Sequence, residues 1–197
     1  KIDTDLDGIN IECCNNVHVI NCLVNSPYDD GICLKSIFAL GYFKPTENVT
    51  ITHCQVSGYD EGSLLDGTYK RSYNTAYHFK PTGRIKFGTE SNGGFKNITI
   101  SDCVFDYCRG LALETVDGGL LEDVTINNIT MRDIVNDPIF LRLGKRMRAP
   151  QGTPVGKLQR VIISNVIVYN ADSNYTCTIS GVRGNNIEDV QLNNISI

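Results

Sequence analysis

One short pattern returns along the chain at uneven intervals. It reads β-branched residue, any residue, aliphatic, two polar or small residues, apolar residue. It begins at Val17 (VHVINCLV), Val49 (VTITHCQV), Ile98 (ITISDCVF), Val124 (VTINNITM), Val161 (VIISNVIV) and Val190 (VQLNNISI). Alternation with period two and β-branched residues predicts strands, and the polar residue midway predicts a corner between two short strands. A second strand follows the first: GICLKS from Gly31, GLALET from Gly110 and PIFLRLG from Pro138, with DGINIE from Asp7 as an earlier copy. Residues 83–89 (GRIKFGT) fill the same slot after a longer loop. The unit is a turn of chain of roughly 23–29 residues with variable loops, a solenoid pattern. Such a unit cannot bury an apolar face alone. Stacked copies can, with equivalent strands paired in parallel about 4.8 Å apart. The expected inward ladders are Ile9, Ile32, Leu111 and Ile139 on one edge, and Val17, Val49, Ile98, Val124, Val161 and Val190 on another. The fold expected is all-β, a right-handed parallel β-helix, the hand following the rule for parallel crossovers.

The 197 residues suffice for one domain or part of one. Residues 1–197 are read as part of a single domain with a loop insertion at about 57–82. The start at Lys1 and the stop inside an alternating run suggest a piece of a longer polypeptide. A hydrophobic share of 41% excludes a disordered segment, and a net charge of -4 argues against a nucleic-acid groove. No apolar run approaches the roughly 18 residues of a membrane span. No cysteine pair has zinc-finger spacing. Cys22, Cys54 and Cys103 share a repeat position with Ile129, Val166 and Ile195, so they read as small buried hydrophobes. The N-x-S/T triplets, such as those at Asn48 and Asn97, mostly recur with the repeat and read as corner residues.

Aligning the second strands exposes the chemistry. Asp7 precedes Gly8-Ile9, and Asp30 precedes Gly31-Ile32. The two carboxyls therefore occupy one position on successive turns, with Asp29 beside them. Asp-Gly alone is a turn dipeptide, but two in register with a third acid form a cluster. Like charges held close raise at least one pKa, so one carboxyl can stay protonated while another is ionised. That split suits acid–base hydrolysis of a glycosidic bond. If Ile85 and Phe87 point inward, Arg84 and Lys86 point outward together and can clamp a substrate carboxylate. Arg109, before Gly110, lies one turn further on. The loop 142–148, with Arg142, Lys145, Arg146 and Arg148, is a candidate rim. His78 lies in the insertion near Arg71 and Lys80 and is a candidate substrate contact. No metal site and no cofactor are expected.

These segments resemble glycoside hydrolase family 28, the polygalacturonases and their relatives. Asp5-Leu6-Asp7-Gly8-Ile9-Asn10 resembles that family's N-T-D-G-I motif. Ser26-Pro27-Tyr28-Asp29-Asp30-Gly31-Ile32-Cys33-Leu34-Lys35-Ser36 resembles its Asp-Asp motif. Phe87-Gly88-Thr89-Glu90-Ser91-Asn92-Gly93-Gly94 resembles the G-S-E-T-S-G-G segment of its exo-acting branches, and the likeness runs on through residues 110–115 and 139–144. The resemblance implies inverting hydrolysis of galacturonic acid-containing chains, with Asp29 as general acid and Asp7 and Asp30 activating water. There are two departures. The family's Gly-His-Gly has no histidine counterpart in the strand holding Gly83 to Lys86. Its Arg-Ile-Lys slot holds Ala112-Leu113-Glu114, while a literal Arg84-Ile85-Lys86 stands one turn earlier.

The expected partner is an acidic polysaccharide or oligosaccharide, met by a secreted or periplasmic monomer, without nucleic acid or membrane. Two other readings stay open. One is a pectate-lyase-like eliminase in which the aspartates hold Ca²⁺, and the other is a non-catalytic glycan-binding solenoid.

Overall fold

A computed structural model describes residues 1–72 and 80–197. In chain order the strands are β1 (Ile2–Asp3), β2 (Ile9–Glu12), β3 (Asn15–Ile20), β4 (Leu23–Asn25), β5 (Ile32–Ser36), β6 (Thr46–Thr52), β7 (Gln55–Ser57) and β8 (Ile85–Ser91). They continue as β9 (Phe95–Asp106), β10 (Leu111–Thr115), β11 (Leu120–Arg132), β12 (Ile139–Leu143), β13 (Lys157–Tyr169), β14 (Thr178–Ser180) and β15 (Glu188–Ser196). The one α-helix among the described residues, α1 (Ser63–Asp66), is a single turn. Among the described residues no helix is long and apolar enough to cross a membrane.

The protein is all-β, and its strands form two parallel sheets. One holds β2, β5, β8, β10, β12 and β14, and the other holds the remaining strands. From β8 onward the chain alternates strictly between them, and each strand pairs with its equivalent from the previous pass. The recurring pattern is the register. Val17 pairs with Val49, Val49 with Ile98, Ile98 with Val124, Val124 with Val161 and Val161 with Val190. In the other sheet Ile9 faces Ile32, Ile32 faces Ile85, and Leu111 faces Ile139. A slip of one residue would turn each of these side chains to the opposite face, so the apolar pattern locks the register. The inward residues fuse into one core, in which Phe87 meets Phe95 edge to face at 5.6 Å. Each fully buried side chain of this size contributes about 1.5–3 kcal/mol of burial.

The long strands are bent at polar residues with positive φ. Asn97 and Asp102 bend β9, Asp123 and Asn128 bend β11, and Arg160 and Asn165 bend β13. Asn and Asp tolerate this left-handed conformation because their short side chains bond locally. Here they also bond to one another between passes. Asn97 donates to Asn48 at 2.7 Å, Asn48 to Asn16 at 3.2 Å, and Asn194 to Asn165 at 2.7 Å. Four of the N-x-S/T asparagines, Asn48, Asn97, Asn128 and Asn194, are such corner residues. Asn174 is the exception, because it closes a loop on Asp172.

All eight cysteines are free. Cys103 pairs in register with Ile129, which pairs with Val166. Cys54 and Cys103 are buried and Cys22 is half-buried, so this row acts as part of the apolar packing.

Glycine is required where successive bends touch. A Cβ on Gly110 would lie 2.2 Å from the carbonyl oxygen of Pro138 and 2.3 Å from that of Asp137. Because the obstacle is backbone, Gly110→Ala is expected to destabilise the fold by about 2–3 kcal/mol, read as a lower urea midpoint.

Candidate active site

The bends that lead into β2, β5 and β8 stack by backbone hydrogen bonds. The N–H of Gly8 donates to the carbonyl of Asp30 at 3.0 Å. The N–H of Gly31 donates to the carbonyl of Arg84 at 2.9 Å, and that of Gly83 to the carbonyl of Asp29 at 2.9 Å. This stacking brings Asp7, Asp29, Asp30, Arg84 and Lys86 together from three stretches of chain. One oxygen from each of the three carboxyls lies within 4.8 Å of the others.

The three carboxyls have different surroundings. Asp30 is buried, 2% exposed. Its Oδ1 accepts from Arg84 Nε at 3.0 Å, and its Oδ2 meets Lys86 Nζ at 3.1 Å. Ile85 and Phe87 point into the core, so Arg84 and Lys86 emerge on the same side, as the alternation requires. Asp7 is half-buried, and its Oδ2 pairs with Lys35 Nζ at 2.6 Å. Burial acts to raise the Asp7 pKa, but the hydrogen bond and charge of Lys35, with smaller contributions from the Cys33 thiol and the Asp30 backbone, outweigh it, and the carboxyl sits below its ordinary 3.8. Asp29 is half-buried and forms no salt bridge among the described residues. Its Oδ1 accepts the N–H of Asp30 at 2.9 Å. Burial, then the negative charges of Asp30 and Asp7, push its pKa up. Two neighbouring carboxyls are thus driven in opposite directions.

Arg109 lies beside this cluster, with its backbone N–H bonded to the carbonyl of Thr82 at 2.9 Å. Its Nε is buried and has no hydrogen-bond partner among the described residues. Burial and the neighbouring Arg84 hold its pKa below the usual guanidinium value. A cation in that position favours an incoming anion. His78 falls within residues 73–79, outside the described residues.

In the loop 142–148, Arg142 lies 3.9 Å from Glu114 and Arg146 lies 3.6 Å from Glu90. Arg146 also pairs with Asp117, to which the Arg148 N–H donates at 2.9 Å. These arginines are held by acids of the same protein. The described residues of the insertion between β7 and β8 are tied down at several points. Near its start, Leu64 N–H donates to Asp3 Oδ2 at 3.1 Å. Further on, Arg71 pairs with Asp133 at 2.6 Å and lies over the Tyr107 ring at 4.6 Å. Lys80 then pairs with Asp172 and lies 4.2 Å from the Tyr175 ring.

No protein-family model matches the chain, and no similar curated protein is found.

Two participants were not singled out from the sequence. Lys35 and Cys33 alternate with the buried Ile32 and Leu34, and both stand next to Asp7. The period-two signal was present, because it places Cys33 and Lys35 on the same face as Lys86, which pairs in register with Cys33.

Proposed function

We propose that the chain carries the catalytic site of an inverting hydrolase of galacturonic acid-containing pectic glycans, built on a right-handed parallel β-helix. The observation that carries this reading is the opposed pair: Asp29 holds its proton more tightly than an ordinary carboxyl, and Asp7 less tightly. Asp29 is then the general acid that protonates the departing glycosidic oxygen. Asp7, with Asp30, takes a proton from the water that attacks the anomeric carbon. Arg84 and Lys86 neutralise Asp30, and the Arg109 guanidinium beside them, committed to no acid among the described residues, is the anchor for a uronate carboxylate. The fold reading is supported by equivalent strands paired in parallel on every pass, and the hand follows the crossover rule. Substrates of this kind place the protein outside the cytoplasm, secreted or periplasmic.

The nearest carboxyl oxygens lie within 4.8 Å, whereas inverting enzymes separate the two carboxyl groups by about 6.5–9.5 Å. Inversion therefore rests on the family resemblance, and the product must test it. Pectic oligosaccharides incubated with the protein are expected to yield a first product of anomeric configuration opposite to the bond cut, read by proton NMR. Retention would overturn inversion, and the absence of any cleavage would overturn the hydrolase.

Activity against pH is expected to form a bell. It rises as Asp7 loses its proton, below the ordinary 3.8, and falls as Asp29 loses its own, above 3.8. A profile of kcat/KM on one oligosaccharide checks both limbs.

The convergence of three carboxyls favours one other reading, Ca²⁺-dependent elimination. Against it, Asp7 Oδ2 and both oxygens of Asp30 already face cationic side chains, which would repel the ion. Chelator-sensitive release of an unsaturated, ultraviolet-absorbing product would favour elimination.

A further inference from the structure

We propose that Lys35 is the positioning residue of this site: its ammonium, paired with Oδ2 of Asp7, fixes the direction of that carboxylate and keeps it ionised for the reacting water. This inference rests on the hydrolase reading and adds a residue to it. The backbone at Asp7 is set by the Gly8 N–H bond to Asp30. That bond does not decide where the side chain points, and the nearby charges of Asp29 and Asp30 would drive it away. Lys35 supplies the opposing pull, with Nζ 2.6 Å from Oδ2.

The remaining neighbours leave this task to Lys35. Arg84 and Lys86 are both directed at Asp30, one to each oxygen. The Cys33 thiol adjoins Asp7 and is neutral, because burial and the charge of Asp7 push its pKa up. Lys35 itself faces Glu12 across the strand pair and feels Glu90 from β8. Burial would discharge it, but the hydrogen bond and charge of Asp7, with the charge of Glu90, hold it protonated. Asp7 Oδ1 is buried and accepts no hydrogen bond from the described residues. A carboxylate with one oxygen tied to a cation and the other enclosed by protein is fixed in one orientation.

The test compares Lys35→Met and Lys35→Arg with the parent protein. In Lys35→Met the acid limb of kcat/KM is expected to move up by about 1 pH unit or more, because an adjacent cation lowers a carboxyl by that much. The alkaline limb, governed by Asp29, stays in place. Lys35→Arg keeps the charge and restores the acid limb. A purely structural lysine would lower activity without moving the limb, and that result overturns the proposal. Carbon-13 NMR titration of the Asp7 carboxyl gives a second readout that needs no turnover. If the parent protein cleaves no glycan, the hydrolase reading fails, while an Asp7 titration unchanged in Lys35→Met separately overturns the role of Lys35. A cooperative thermal transition in both variants shows that each is folded.

Discussion

Asp29→Asn is expected to lower reducing-sugar release by about 10²–10⁴-fold while the protein still folds. Asparagine keeps the shape of the side chain and an oxygen for the Asp30 N–H, which now bonds Oδ1 at 2.9 Å. The substitution removes the proton to be donated. It also removes a negative charge repelled by Asp30 and Asp7, so unfolding should come no earlier than in the parent. Linkage gives a second signature. The folded state binds the Asp29 proton more tightly than the unfolded chain does. Its contribution to stability is therefore full below the unfolded value and is lost as pH rises through the folded one. Asp7 has the opposite sign, contributing above its unfolded value and losing that contribution as pH falls through the folded one. Thermal unfolding measured across pH should show the first component vanish in Asp29→Asn. Undiminished turnover in this variant would end the assignment of Asp29 as the acid.

The neighbouring aspartate should behave differently. Asp30→Ala is expected to cost about 3–5 kcal/mol of stability, measured by urea unfolding, because it strands the buried Arg84 and the half-buried Lys86. Arg84 is 9% exposed, and its Nε has Asp30 as its acceptor at 3.0 Å. Lys86 loses its ion-pair partner at the same time. A loss below about 1 kcal/mol would mean that water already screens these cations. Of these adjacent acids, Asp29 is thus expected to be removable with the fold intact, whereas removing Asp30 costs the structure as well as its share of the water activation.

The ladders Val17 to Val190 and Ile9 to Ile139 were legible because a parallel stack repeats one side-chain direction at every second residue. The corner asparagines were legible because few residues accept a left-handed backbone. Even the meeting of Asp7 with Asp29 and Asp30 followed from alignment, since the glycine after each acid marks where one bend lies on the next. The outward pairing of Arg84 and Lys86 followed from the same alternation.

Lys35 illustrates what alignment could not decide. Its place on the outer face was implied, but its choice of Asp7 over Glu12 or Glu90 depends on distances of a few ångströms. The contacts of Leu64 with Asp3 and of Lys80 with Asp172 had no periodic signal at all. The opposed charge states of Asp7 and Asp29 were also out of reach. The residues of this chain, read alone, determined a parallel all-β register and the row in which the acids stand, because both depend on local direction and repeat. Which acid is buried, which is paired and which keeps its proton was decided only by the stacked structure, because desolvation and Coulomb forces act through space between residues far apart along the chain.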